Sequence, residues 1–264
     1  MVLKRKNIEK HSIKFEKNKL HEQIGKDYQP FLENRDVPSM GKRTRIKSWT
    51  VGRTHHLFSN LELGAFLTLD TDPNVVDIRE QYPLLPVRVV QQLADDLGVR
   101  YSMNGAFHVH TTDFLVTMKN GSHIAYSVKP STQLKSKRVL EKLALENRFW
   151  ALNDIQHSII TELDLNQPVI NGIAQYHSYR FDWIDSKEHS TDLAIEEAIL
   201  SAISAHPTTP LSSLCEMVEK SIGTQSGHAL RTVKRCLATE KWRLARGHIF
   251  DPRIALSLEG GFAA

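Results

Sequence analysis

Apolar and polar positions change period several times along the chain, and each change predicts an element. Leu61, Ala65, Phe66 and Leu69 recur at helical spacing, and Ser59 followed three residues later by Glu62 has the capping-box spacing that starts a helix. A helix over about 60–69 follows, stopped by Asp72-Pro73-Asn74. Val75-Val76-Asp77-Ile78-Arg79-Glu80-Gln81-Tyr82 reads as extended before Pro83 and Pro86, whereas 84–98 shows no decisive period. Thr111 to Met118 is rich in β-formers, Lys119-Asn120-Gly121-Ser122 is a turn, and His123 to Lys129 returns before Pro130. Asn-Gly between two apolar runs is a strong hairpin signal. Leu140, Leu143, Ala144, Asn147 and Trp150 then mark a helix over about 137–152, and Ser158-Ile159-Ile160-Thr161 a further strand. Helices and strands in this order predict an α/β core.

Beyond Asp164-Leu165-Asn166-Gln167-Pro168 the pattern turns helical: about 169–183, 192–204, 210–221 and 228–239, with Gly223-Thr224-Gln225-Ser226-Gly227 between the last two. The last helix has one stripe of Leu230, Val233 and Leu237 and another of Arg231, Lys234 and Arg235, the latter suited to a DNA backbone or an acidic protein partner. Short strands around Trp242-Arg243-Leu244 and His248-Ile249-Phe250, joined at Arg246-Gly247, complete a winged helix-turn-helix pattern. The expected organisation is a basic arm over 1–30, an α/β domain over 31–165 and a mainly helical winged-helix domain over 166–264.

Composition adds boundaries to this picture. With 41% hydrophobic and 24% charged residues the chain is expected to fold, and no run approaches the ~18 apolar residues of a membrane span. The start, MVLKRKNIEK, lacks the apolar stretch of a signal peptide, so a cytoplasmic location is expected. Cys215 and Cys236 are too few for a disulfide framework or a cysteine-rich zinc site and read as buried thiols. The net charge of +4 hides an asymmetry, because residues 1–60 hold 14 Lys and Arg against 6 Asp and Glu. That basic segment, which includes Lys42-Arg43-Thr44-Arg45, suits a polyanion partner or a solvated tail.

Three polar residues stand where apolar ones are expected: Glu62 inside the helix stripe, Asp113 in the first hairpin strand, and Lys129 at the end of the second. Singly they read as a capping-box acid bonded to the Ser59 amide, a strand-edge acid and a solvated edge cation. Together, a helix carboxylate, a strand carboxylate and a Lys on the next strand match the arrangement of a metal-dependent nuclease. Hard Mg²⁺ takes carboxylate and carbonyl oxygens, lowers the pKa of bound water and stabilises phosphate charge, while the Lys orients or deprotonates the nucleophile. Register constrains this reading: a two-residue Asn-Gly loop sets Asp113 opposite Val128, and a loop one residue longer sets it opposite Lys129 on the same face. The arrangement requires the longer loop or a bulge.

The ordered motifs Asp36-Val37-Pro38-Ser39, Gly52-Arg53-Thr54-His55-His56-Leu57-Phe58-Ser59-Asn60-Leu61-Glu62-Leu63, Val76 to Pro86, Thr112-Asp113-Phe114-Leu115-Val116, Val128-Lys129-Pro130 and Leu140 to Glu146 span about 25–155. In these the chain resembles the TnsA endonuclease subunits of heteromeric, Tn-seven-type transposases. The resemblance implies a restriction-endonuclease-like catalytic domain followed by a winged-helix domain, and hydrolysis of the 5′ strands at transposon ends. It implies two partners, a TnsB-type DDE transposase that cuts and joins the 3′ ends and a TnsC-type AAA+ ATPase. By motif, Glu62 and Asp113 become metal-binding carboxylates, the Val128 carbonyl a further ligand and Lys129 the catalytic Lys, with Mg²⁺ as cofactor and Mn²⁺ as substitute. Ser127 departs from the pattern, since the family often has Gln there and related nucleases Glu, and a hydroxyl is the poorer Mg²⁺ ligand. Two alternatives stand beside this reading: a free-standing restriction or repair nuclease, and a DNA-binding assembly factor with a decayed site. The adjacent His55 and His56 lack a third metal partner at useful spacing and read as core or phosphate contacts, and Glu146 as a solvated helix acid.

Overall fold

A computed structural model describes residues 13–33, 42–101, 109–182 and 186–260, with 186–189 described for their backbone alone. The Asp36 to Ser39 motif and the first twelve residues of the expected arm lie outside the described residues. The chain divides into two compact units, Met1–Leu165 and Asn166–Ala264.

The first unit holds a two-stranded ribbon of β1 (Thr44–Lys47) and β2 (Thr54–Leu57) and a four-stranded sheet of β3 (Val75–Pro83), β4 (Thr111–Met118), β5 (His123–Val128) and β6 (Gln156–Ile160). In the larger sheet β3, β4 and β5 run antiparallel and β6 parallel to β5. Helix α1 (Asn60–Asp70) starts at Ser59, whose Oγ accepts the Glu62 amide. It packs Ala65, Phe66 and Leu69 against Val75, Ile78, Phe114, Val116 and Val128. The segment with no decisive period forms α2 (Val87–Asp96), which joins α3 (Lys137–Ala151) in a second cluster: Leu84, Val90, Leu93, Leu115, Ala125, Leu145, Phe149 and Trp150. Phe114 and Leu115 thus head opposite faces of one sheet, as a strand period of two requires.

Part of the expected arm belongs to this core. Phe15 and Tyr28 are buried, the Phe15 ring meets Phe31 edge to face at 5.4 Å, and the Tyr28 hydroxyl donates to the Glu80 carbonyl at 2.9 Å. Apolar points are sparse along this stretch, but aromatic rings carry enough apolar area to dock it.

The hairpin loop is three residues, Lys119-Asn120-Gly121, closed by Met118 N donating to Ser122 O at 2.9 Å, with Gly121 left-handed at φ 83°. The resulting register pairs Phe114 with Tyr126 and Thr117 with His123. Carried one step on, it sets Asp113 level with Ser127, two residues short of the expected Lys129. The two positions still share a face.

The second unit contains α4 (Gln167–Tyr176), α5 (Ser186–Ala205), α6 (Leu211–Ile222) and α7 (His228–Ala238) around Ile195, Ile199, Leu211, Val218, Val233, Leu237 and Phe250. Cys215 and Cys236 are buried free thiols in that core. The hairpin expected between 242–244 and 248–250 does not form. Leu244 instead makes a single antiparallel bridge to Leu258, flanked by Ala245 N donating to Ser257 O at 3.0 Å. Phe250 is drawn inward, 1% exposed, with its ring edge to face on Tyr176 at 5.5 Å. Burying that ring outweighs pairing its backbone in a short ribbon.

Candidate active site

Glu62 is the third residue of α1 and is 8% exposed. One oxygen accepts the Phe58 amide at 2.9 Å and the other the Ser59 hydroxyl at 3.1 Å. The capping box therefore forms one residue earlier than expected, on the Phe58 amide, and leaves further carboxylate lone pairs available. Burial first, and the Asp113 charge second, push the Glu62 carboxyl up to about 7.

Asp113 sits where the sheet changes face. On β3, Ile78 joins the cluster under α1 and Glu80 turns to Arg53 and His56, yet Tyr82 packs with Trp150 on the α3 side. On β4, Phe114 and Val116 face α1, yet the Thr112 hydroxyl accepts Trp150 Nε1 at 2.8 Å and donates to Glu146 of α3 at 3.2 Å. Alternation thus breaks at the facing positions Gln81 and Asp113, between the Glu80–Phe114 and Tyr82–Thr112 pairs. At this break Asp113 interacts with Glu62 from one layer and with Glu146 from the other.

Lys129 directly follows β5, and its amide continues the parallel ladder by donating to Ile160 O at 3.0 Å. Its Nζ donates to Asp113 Oδ2 at 2.6 Å and to the Val128 carbonyl at 3.0 Å, and the same Asp113 oxygen accepts the Val128 amide at 2.6 Å. Burial alone would lower the Lys129 ammonium; Asp113 and Glu146 outweigh it and hold it above its ordinary value. Asp113, Val128 and Lys129 are therefore bonded to one another, and Glu62 lies close enough to feel the Asp113 and Lys129 charges.

Glu146 corrects the expectation of a solvated acid. It is buried, accepts the Ser127 hydroxyl at 2.5 Å as well as Thr112, and is pushed up to about 7 by burial and then by Asp113. Its signal is present in the sequence, since Leu143 and Trp150 at three and four residues' distance make it an acid inside an apolar stripe. Ser127 spends its hydroxyl on this carboxylate and lies 2.9 Å from His157 Nε2. His157, on β6, has no recognisable signal.

Other candidates separate from this cluster. His55 is buried, its Nε2 3.1 Å from the Ile78 carbonyl and its ring 4.6 Å from Phe66, which makes it a core residue. The Arg53 guanidinium holds the buried Glu80 carboxylate in two bonds, at 2.9 and 2.5 Å. In the second unit, Lys234 lies 5.3 Å from the Tyr179 ring centroid and Arg231 Nε 3.5 Å from Asp182. Arg235 does not share an exposed stripe with them: it is 8% exposed and its guanidinium pairs with buried Asp192, which also accepts the Thr232 hydroxyl at 2.9 Å. The spacing that put it beside Arg231 also points it at α5.

Among the described residues no group of three or more His, Cys, Asp and Glu side chains is arranged to hold a metal ion. The donor chemistry nevertheless fits a hard divalent cation. An ammonium already bridges an Asp113 oxygen and the Val128 carbonyl, and a second carboxylate, Glu62, resists ionisation because it is buried and, after that, because Asp113 is near. Three acids gather around the Lys129 ammonium, so the cluster has room for more positive charge. No helix among the described residues is long and apolar enough to cross a membrane.

A family profile described as "TnsA-like endonuclease N terminal" matches residues 72–162, which include Asp113, Val128, Lys129 and Glu146. The "Transposon Tn7 transposition protein TnsA" of Escherichia coli is 36% identical over 218 residues, covering 81% of this chain and 78% of that protein. An α/β unit that gathers two carboxylates and a lysine, with similarity of this extent, establishes that the chain belongs to the TnsA family of transposon endonucleases.

Proposed function

We propose that this endonuclease is the subunit of a cut-and-paste transposase that hydrolyses the 5′ strands at transposon ends, with Mg²⁺ as cofactor and Mn²⁺ as substitute. The observation carrying this reading is the convergence of Asp113 with Glu62 and Lys129. Glu62, Asp113 and the Val128 carbonyl would hold the cation. A bound divalent cation supplies Lewis-acid stabilisation of phosphate charge and acidifies water. Glu62 gives up its proton on taking part, since hard cations bind carboxylate rather than carboxylic acid. Lys129, held protonated by its neighbours, acts as a charged donor that orients the nucleophile or a phosphate oxygen; it is a poor base in this arrangement. Ser127 donates its hydroxyl to Glu146, which fixes that side chain beside the cluster.

In this reading residues 31–165 form the restriction-endonuclease-like catalytic domain behind a basic segment over 1–30, and 166–264 a winged-helix domain. The three helices α5 to α7 and the Leu244–Leu258 bridge support the latter, with the wing reduced to that bridge. Arg231 and Lys234 remain its candidates for contact with DNA or protein. The partners are a TnsB-type DDE transposase, which acts on the 3′ ends, and a TnsC-type AAA+ ATPase; the Tn7 transposition relative supports both. The test is strand cleavage of a transposon-end duplex by the purified chain, alone and with the transposase. Cleavage only with the transposase is expected. Ready cutting alone favours a free-standing nuclease, and absence of Asp113-dependent Mg²⁺ or Mn²⁺ binding a decayed assembly factor.

A further inference from the structure

Four non-glycine residues among those described have a positive φ, and Gln81 is the one that lies within a strand. Its φ of 49° is left-handed, a region that costs an ordinary side chain energy and that strands avoid. The conformation is held from several sides. Gln81 is 3% exposed, its side-chain Oε1 accepts the Thr111 hydroxyl at 3.2 Å, and its carbonyl accepts the Phe31 amide at 3.4 Å. Its position faces Asp113, between two intact pairs of the β3–β4 ladder. A residue kept in a sparsely populated backbone state beside a reactive cluster indicates strain used for placement.

We infer that Gln81 is a positioning residue whose left-handed backbone rolls the β3–β4 pair between its two faces, so that Asp113 reaches Glu62 on one layer and Lys129 and Glu146 on the other. Without the roll, strict alternation would commit Asp113 to a single face. The inference rests on the proposed role of Asp113, but the roll itself has a metal-free reporter: the Val128 amide, which donates to Asp113 Oδ2 at 2.6 Å.

The test compares Gln81→Gly, which adopts the left-handed region freely, with Gln81→Val, whose branched side chain favours extended backbone. Each full-length variant is read by hydrogen exchange at the Val128 amide, by Mn²⁺ titration and by thermal melting. Gln81→Gly is expected to retain Val128 protection and Mn²⁺ affinity close to wild type. Gln81→Val is expected to lose Val128 protection and about tenfold or more in Mn²⁺ affinity while still melting cooperatively. Wild-type protection of Val128 in Gln81→Val, or equal loss in both variants, overturns the inference. If Gln81→Val does not fold, Gln81→Ala is read by the same two outcomes. Failure of the wild type to bind Mn²⁺ through Asp113 overturns the functional reading instead, and leaves the Val128 comparison to judge the roll.

Discussion

The Lys129 ammonium and the Val128 amide both donate to one oxygen of Asp113, each at 2.6 Å. A single carboxylate oxygen thereby ties the end of β5 to the break in β4. Asp113→Asn replaces that charge with an amide of the same shape. Strand cleavage in the presence of the transposase is expected to fall at least ~10²-fold, while DNA association changes little because the substitution leaves the chain's Lys and Arg side chains in place. A nicking assay in Mn²⁺ beside a DNA-binding titration checks both halves, and unchanged nicking counts against the site.

Glu146 gives the apoprotein a pH dependence of definite sign. Its folded carboxyl is raised from 4.5 to about 7, so the native state holds a proton that the unfolded chain releases. Stability from this group is full below about 4.5 and falls as pH rises through about 7. The loss is on the order of 3 kcal/mol, since each tenfold difference in proton affinity between the folded and unfolded chain is worth about 1.4 kcal/mol. Urea denaturation of metal-free protein at several pH values should show this slope, and Glu146→Gln should reduce it, the remainder coming from Glu62, whose carboxyl is raised in the same way.

Arg53 and Glu80 form a buried bidentate pair whose carboxylate also accepts the His56 amide at 3.1 Å. Arg53→Leu leaves that carboxylate buried without its cation and is expected to cost ~3–5 kcal/mol. Arg53→Leu combined with Glu80→Leu should recover part of the loss. Chemical denaturation of the single and double variants decides the matter, and equal stability of wild type and Arg53→Leu would show the pair to be dispensable.

Lys142 lies one turn before Glu146 on α3, and burial, then the nearby Arg138 and Lys129 cations, lower its ammonium. Like charges gathered beside the proposed phosphodiester site favour a DNA backbone contact. Lys142→Ala is expected to weaken DNA binding and to reduce the log–log salt slope by about 0.9. Arg235→Leu, which removes the guanidinium partner of Asp192, should leave that slope unchanged and lower the melting temperature of the second unit. Fluorescence anisotropy across salt concentrations, with calorimetry, separates the two.

Local signals along the chain were sufficient for much of the first unit. The Ser59–Glu62 box starts α1, the Asn-Gly turn makes the β4–β5 hairpin, and the stripe through Leu143 and Trp150 makes α3, because each depends on residues a few positions apart. The same local patterns mark Glu62, Asp113 and Lys129 as misplaced polar residues. They do not say which side chains meet. Asp113 reaches both layers through a left-handed Gln81 on a neighbouring strand, Glu146 is buried by a sheet distant in sequence, and Phe250 leaves its expected ribbon for a core built by four helices. Face, register and partner are set where segments far apart in sequence compete for the same buried volume, and that competition is settled only when the whole unit packs.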